Sequence, residues 1–211
     1  MKLIILDRDG VINHDKIGSY IFNADEFVFM PGAKEAIKFF SEVFGTIVVA
    51  TNQKGVAKGL MSLSDLNGIH AYMQKEISSS GGRIDKIYFA IDMDNDSPMR
   101  KPQTGMALQA KKDFPQIDFA KSIMVGNRIS DMEFGRNAGM ATVFLRTTHP
   151  ETEFPHGDEP QTARPSISAT SSMRSTTRRC HLCWRWQARA DAKRRCATAV
   201  FWALNRHSGA R

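Results

Sequence analysis

The chain opens with LIILDRDGVIN, and this stretch constrains its fold more than any other. Leu3 to Leu6 is a short apolar run of β type that delivers two acids, Asp7 and Asp9, with Gly10 directly after. Side chains of an extended strand alternate in direction. Asp7 can therefore aim at a ligand as the chain leaves the strand. Asp9 can return to the same space only if the chain coils at once, which Gly10 permits. A buried strand that ends in two acids is costly unless a cation or a proton is shared between them. Ligands of open α/β sheets sit at the carboxyl ends of strands. Metal-assisted chemistry is the leading expectation, set against the plainer one of a strand followed by a polar turn.

Composition changes near residue 155. Residues 1–155 hold 18 Lys and Arg against 19 Asp and Glu, whereas residues 156–211 hold 11 against 3. All three cysteines and all three tryptophans fall in the second segment, and arginine replaces lysine as its main cation. The first segment suffices for one buried core. Its lack of cysteine and of a leader-like start points to a reducing cytoplasm, and no apolar run is long enough to span a bilayer. The second segment, rich in Ser, Thr, Pro and Arg at its start, reads as a low-order tail of the kind a shifted reading frame produces.

Within residues 1–155, short apolar runs at Lys2–Leu6, Thr46–Ala50, Lys86–Ala90, Ser122–Val125 and Ala141–Leu145 alternate with helical patterns. The first helix spans Ala33 to Phe44 after Pro31-Gly32. The second, capped by Ser64, carries Leu66, Ile69, Met73 and Ile77. Thr104 caps a third that Pro115 closes, and Ser130 a fourth from Asp131 to Ala138. Such alternation predicts a parallel sheet covered on both faces. The stretch from Asn13 to Met30 departs from it, and aromatics around Asn23-Ala24-Asp25 suggest a small β-hairpin flap over the end of the first strand.

Four groups follow strands and should meet at one rim: Asp7 with Asp9, Thr51-Asn52-Gln53, Arg100-Lys101, and Gly126-Asn127 with Asp131. Taken singly, each has a plain explanation as a cap, a turn or a solvated charge. Taken together, acid, hydroxyl, cation and amide suit a phosphoryl group, with carboxylates holding Mg²⁺ and the other donors surrounding the phosphoryl oxygens.

In these residues the sequence resembles the haloacid-dehalogenase (HAD) superfamily of phosphotransferases over residues 2 to about 150. Asp7-Arg8-Asp9-Gly10-Val11, Thr51, Lys101 and the Gly126–Asp131 stretch match its four motifs in order. DRDGVIN, FVFMPGA, TNQKGVAKG and RKPQTGM are similar to the D-glycero-D-manno-heptose 1,7-bisphosphate 7-phosphatase branch, whose near relatives are histidinol-phosphate phosphatases. The resemblance implies a three-layer Rossmann-like α/β fold with a minimal cap and a small phosphorylated sugar as substrate. No membrane partner is expected; the sequence does not fix the oligomeric state, of which a monomer is favoured. It assigns Asp7 as nucleophile, Asp9 as acid and base, and Thr51 and Lys101 as stabilisers of charge. Asn52, Gln53 and Arg100 would bind substrate, and Asp7, Asp9, Asn127 and Asp131 would hold Mg²⁺. Two departures are visible. The branch carries a zinc loop before Arg-Lys-Pro, but here Asp92 to Met99 contains neither Cys nor His, so no zinc is expected in residues 1–155. The fourth motif offers Asn127 where an acid is usual, which removes a charge from the metal site.

The tail leaves another class open. Its arginines and tryptophans suit phosphates and bases, and Cys180, Cys183, Cys196 and His207 offer four zinc ligands. A non-catalytic phosphosugar binder is a third reading. Nucleic acid is not the expected partner.

Overall fold

The structure, a computed structural model, describes residues 1–148. The boundary expected near residue 155, the basic tail and its four potential zinc ligands lie outside the described residues. Five strands, β1 (Leu3–Leu6), β2 (Thr46–Asn52), β3 (Lys86–Ala90), β4 (Ile123–Gly126) and β5 (Ala141–Phe144), form one sheet in the order β3-β2-β1-β4-β5. Every pairing is parallel. β1 lies at the centre, with Leu6 beside Val49 on one flank and Val125 on the other. The chain runs outward from β1 through β2 to β3, then crosses to the opposite flank for β4. This reversal opens a crevice at the carboxyl end of β1, where such sheets bind ligands.

Strand alternation sorts the core into two layers. Ile4, Leu6, Ile47 and Val49 face α1 (Ala33–Val43) and α3 (Leu63–Ser79), while Leu3, Ile5, Val48 and Ala50 face α4 (Gly105–Asp113) and α5 (Ile129–Asn137). A parallel strand covered on both faces must be apolar throughout, which is why Leu3 to Leu6 shows no polar alternation. Each of these fully buried aliphatic side chains contributes about 2 kcal/mol of transfer free energy. On α1 the buried positions Ala33, Ala36, Ile37 and Phe40 trace one helical stripe. No helix among the described residues is long and apolar enough to cross a membrane.

Four local expectations change. The cap of α3 is Ser62, whose hydroxyl accepts the Asp65 N–H at 3.0 Å while Asp65 accepts the Ser62 N–H at 2.8 Å. This reciprocal pair displaces Ser64 into the first turn. Thr104 occupies the cap position of α4 without a side-chain capping bond, and Ser130 lies inside α5, whose first turn is tied by Asp131 instead. The Asn13–Met30 stretch does return upon itself, with His14 N–H donating to Val28 O and Met30 N–H to Ile12 O, both at 2.9 Å. It forms a single antiparallel bridge, Asn13 with Phe29, rather than a ladder. At its tip Asn23 Oδ1 accepts the Glu26 N–H at 3.1 Å, closing a 3-10 turn over Ala24–Glu26 in place of the β-turn. A short helix, α2 (Lys54–Ala57), follows β2 and was not foreseen from periodicity.

Replacing Ser62 by Ala should cost about 1 kcal/mol of stability in urea unfolding, whereas Ser64→Ala should stay within about 0.5 kcal/mol of the parent.

Candidate active site

Past Leu6 the chain makes one more sheet contact, Asp7 N–H to Val125 O at 2.9 Å, and then coils. The Arg8 carbonyl accepts the N–H groups of Ile12 and Asn13 at 2.8 and 3.1 Å. Gly10 makes this possible in two ways. It has φ +80°, and a Cβ there would lie 2.0 Å from Asn127 Nδ2. The coil brings Asp9 back beside Asp7, as the opening motif required.

Lys101, from the loop before α4, reaches into the sheet end. Its ammonium lies 2.9 Å from Asp7 Oδ1 and 2.6 Å from Asp131 Oδ1, and donates to Ala50 O at 2.7 Å. All three side chains are buried. Burial, then the neighbouring Asp131 charge, pushes the Asp7 carboxyl up to about 7, against the pull of Lys101. Burial alone would depress the Lys101 ammonium, but Asp131 and Asp7 more than offset it and raise its pKa. Asp131 is fixed from behind, with Oδ2 accepting the N–H groups of Asn127 and Arg128 at 3.1 and 3.0 Å. A Cβ at position 126 would lie 2.2 Å from the Asp131 Cβ, so only glycine leaves room for this acid.

These residues floor a cleft of about 350 Å³. Asp7, Asp9, Thr51, Asn52, Arg100, Lys101 and Asp131 line it, together with Asp15, Lys16 and Tyr20 of the flap stretch and the cations Lys54, Lys58 and Arg128. The two remaining sequence candidates are not among the lining residues. Gln53 is buried behind the wall, donating to Asp9 Oδ2 and Thr51 Oγ1, both at 2.8 Å. Asn127 is 1 % exposed, donates to Thr148 Oγ1 at 2.8 Å, and leaves its Oδ1 without a hydrogen-bond partner. Asn52 lines the cleft, yet both ends of its amide clamp the Lys101 backbone at 3.0 Å.

Among the described residues no cluster of three or more His, Cys, Asp and Glu side chains is placed to hold a metal. Amide and carbonyl oxygens matter here instead. Two buried carboxylates share one buried ammonium, leaving a surplus negative charge, and the orphaned Asn127 oxygen is a further hard donor. An oxygen-only set with surplus negative charge fits a hard divalent cation such as Mg²⁺.

Comparisons with known proteins agree with this geometry. A family model described as HAD-hydrolase-like matches residues 98–166. The D-glycero-alpha-D-manno-heptose-1,7-bisphosphate 7-phosphatase of Campylobacter jejuni is 39 % identical over 144 residues, covering 68 % of this chain and 81 % of the relative. The chain belongs to the HAD-like phosphatase family. The corresponding beta-anomer enzyme of Bordetella bronchiseptica is 34 % identical over 165 residues, 78 % of this chain and 91 % of that one. The crystal structure of the B. bronchiseptica D,D-heptose 1,7-bisphosphate phosphatase, complexed with magnesium and phosphate, superposes with a TM-score of 0.68 at 34 % identity, covering 74 % of this chain and 90 % of the other.

One element of this HAD-like site escaped the sequence reading. Arg8, between the two motif acids, is buried and clamps Asp9, with Nη2 3.0 Å from both carboxylate oxygens and Nε 3.2 Å from one. Asn13 Nδ2 adds a bond at 2.9 Å. Burial works to raise Asp9, but the Arg8 charge and the bonds from Asn13 and Gln53 hold it below the usual carboxylate range. Arg8 also donates from Nη1 to His70 Nε2 at 3.3 Å, which requires a neutral ring. His70 is buried in α3, while His14, the other histidine near the motif, is exposed. Burial, then the Arg8 charge, pushes the His70 pKa down to about 3. The signal for this clamp was the pairing of an arginine just past a buried strand with a histidine on the buried stripe of α3.

Because the unfolded chain binds a proton at His70 near pH 6.5 and the folded chain does not until about pH 3, stability must fall with pH through that window. His70 should account for a loss of about 2 kcal/mol between pH 7 and pH 5. His70→Gln, which keeps an acceptor for Arg8, should lose correspondingly less stability over that interval in urea titrations.

Proposed function

We propose that the protein is a Mg²⁺-dependent phosphomonoesterase that removes the 7-phosphate of D-glycero-D-manno-heptose 1,7-bisphosphate. The observation that carries this reading is the buried Asp7–Lys101–Asp131 bridge at the floor of a cleft whose mouth is lined by cations. The names and cover of the relatives support the choice of sugar. A substrate with two phosphates also matches a cleft with an acidic floor and Lys16, Lys54, Lys58, Arg100 and Arg128 above it.

In this mechanism Asp7 is the nucleophile. Its carboxylate oxygen attacks phosphorus, the bond to the sugar oxygen breaks, and an aspartyl-phosphate forms. Asp9 gives a proton to the leaving alkoxide and later takes one from the water that hydrolyses the intermediate. The clamp of Arg8, Asn13 and Gln53 favours ionised Asp9, the form needed in the second half; the first half requires one carboxylate oxygen to carry a proton toward the cleft. Lys101 and the Thr51 hydroxyl stabilise charge on the transferring phosphoryl oxygens. The Asp7 carboxylate, the Asp9 backbone carbonyl, Asn127 Oδ1 and Asp131 would hold Mg²⁺. When bound, that ion supplies the positive charge that lets an anionic nucleophile meet an anionic phosphate. Arg100, with forked donors at the cleft mouth, binds the phosphate that is not cleaved.

A phosphate-release screen with Mg²⁺ against heptose 1,7-bisphosphate, histidinol phosphate and simple sugar monophosphates tests the assignment; turnover should be highest with the bisphosphate. Asp7→Asn should lower turnover by about four orders of magnitude or more. Asp131→Ala should raise the Mg²⁺ concentration for half-saturation by about 10–100-fold. Asn127→Asp, which restores a charged oxygen, should lower it by about ten-fold, read by calorimetric titration with Mg²⁺.

A further inference from the structure

The loop from Asp92 to Met99 has no thiolate or imidazole to organise it, yet one of its side chains bonds to two cations that line the cleft. Asn95 Oδ1 accepts Lys54 Nζ at 2.9 Å and Arg100 Nε at 3.3 Å. The two cations come from different elements, the start of α2 and the loop before α4, and both line the cleft. Neither makes a carboxylate salt bridge among the described residues, unlike Lys16, held by Glu26, and Arg128, held by Asp15. The loop itself is set by an Asx turn, with Asp94 Oδ1 accepting the Asp96 N–H at 2.9 Å, and by Arg100 Nη1 near the Asp92 carbonyl at 3.5 Å.

Two like charges gathered on one neutral oxygen repel each other, and a dianion between them relieves the repulsion. A carboxylate at position 95 would neutralise the pair; an amide orients it without cancelling its field. We propose that Asn95 is a positioning residue that holds Lys54 and Arg100 together as the subsite for the uncleaved phosphate of a bisphosphate substrate. This rests on the bisphosphatase reading above and adds to it Lys54 and the tether. The subsite acts on binding, because the ammonium paired with Asp7 and Asp131 is that of Lys101, and neither Lys54 nor Arg100 shares that bridge.

The experiment compares heptose 1,7-bisphosphate with p-nitrophenyl phosphate, which has no second phosphate. Asn95→Ala should raise KM for the bisphosphate about ten-fold with kcat within about two-fold, and leave kcat/KM for p-nitrophenyl phosphate unchanged. Lys54→Ala should raise the bisphosphate KM similarly, and the double variant should fall well short of the product of the two effects. An unchanged bisphosphate KM in Asn95→Ala, an equal loss on both substrates, or multiplicative single effects would overturn the tether. A parent enzyme with no preference for two phosphates over one would overturn the reading beneath it, and the subsite with it.

Discussion

The Lys101 ammonium, buried at the end of the sheet, touches groups from three parts of the chain: the Asp7 carboxylate after β1, the Ala50 carbonyl of β2, and the Asp131 carboxylate in the first turn of α5, the helix that follows β4. Each acid would be intolerable alone at that depth. Removing the lysine would leave two like charges in apolar surroundings, and removing either acid would weaken the hold on the lysine. The geometry of the candidate site is thus a requirement of folding as much as of chemistry. The strand-order reversal supplies the space, and Asn52 fixes the Lys101 backbone from β2 so that its side chain can reach inward.

Much of this was legible in the residues. All five strands and the four longer helices follow from apolar runs and helical stripes, because a doubly covered parallel sheet writes its burial directly into sequence. The gathering of Asp7, Asp9, Thr51, Lys101 and Asp131 followed from a single topological rule, that strand ends meet at one edge. What the pattern hid were choices between equivalent local chemistries. Ser62 and Ser64 are both good caps, and only Asp65, three residues beyond Ser62, decides between them. Asn23 can form a β-turn or an Asx-closed 3-10 turn, and Glu26, taking Phe22 N–H and Lys16 on its carboxylate, favours the second.

The least legible feature was Arg8. A charged residue between two motif acids reads as solvated, and only the fold shows that it turns inward to meet His70 across from β1. Gln53 behaves similarly: a polar residue at a strand end looks like a ligand to substrate, but here it spans Asp9 and Thr51 from behind. Both belong to the scaffolding that orients the acids, and such roles depend on distant packing partners that no local pattern reveals.

The strand order carries a consequence for how the molecule assembles. β1, the most apolar strand, has its partner β2 complete by Asn52, but its other flank is completed only by Ile123–Gly126. Until that segment is synthesised, an edge of bare backbone amides and carbonyls lies open beside Leu3 to Leu6, a template for strands of neighbouring nascent chains. The vulnerable interval of biosynthesis therefore falls between completion of β3 and arrival of β4, and closing that edge is the same event that brings the last carboxylate to its ammonium partner.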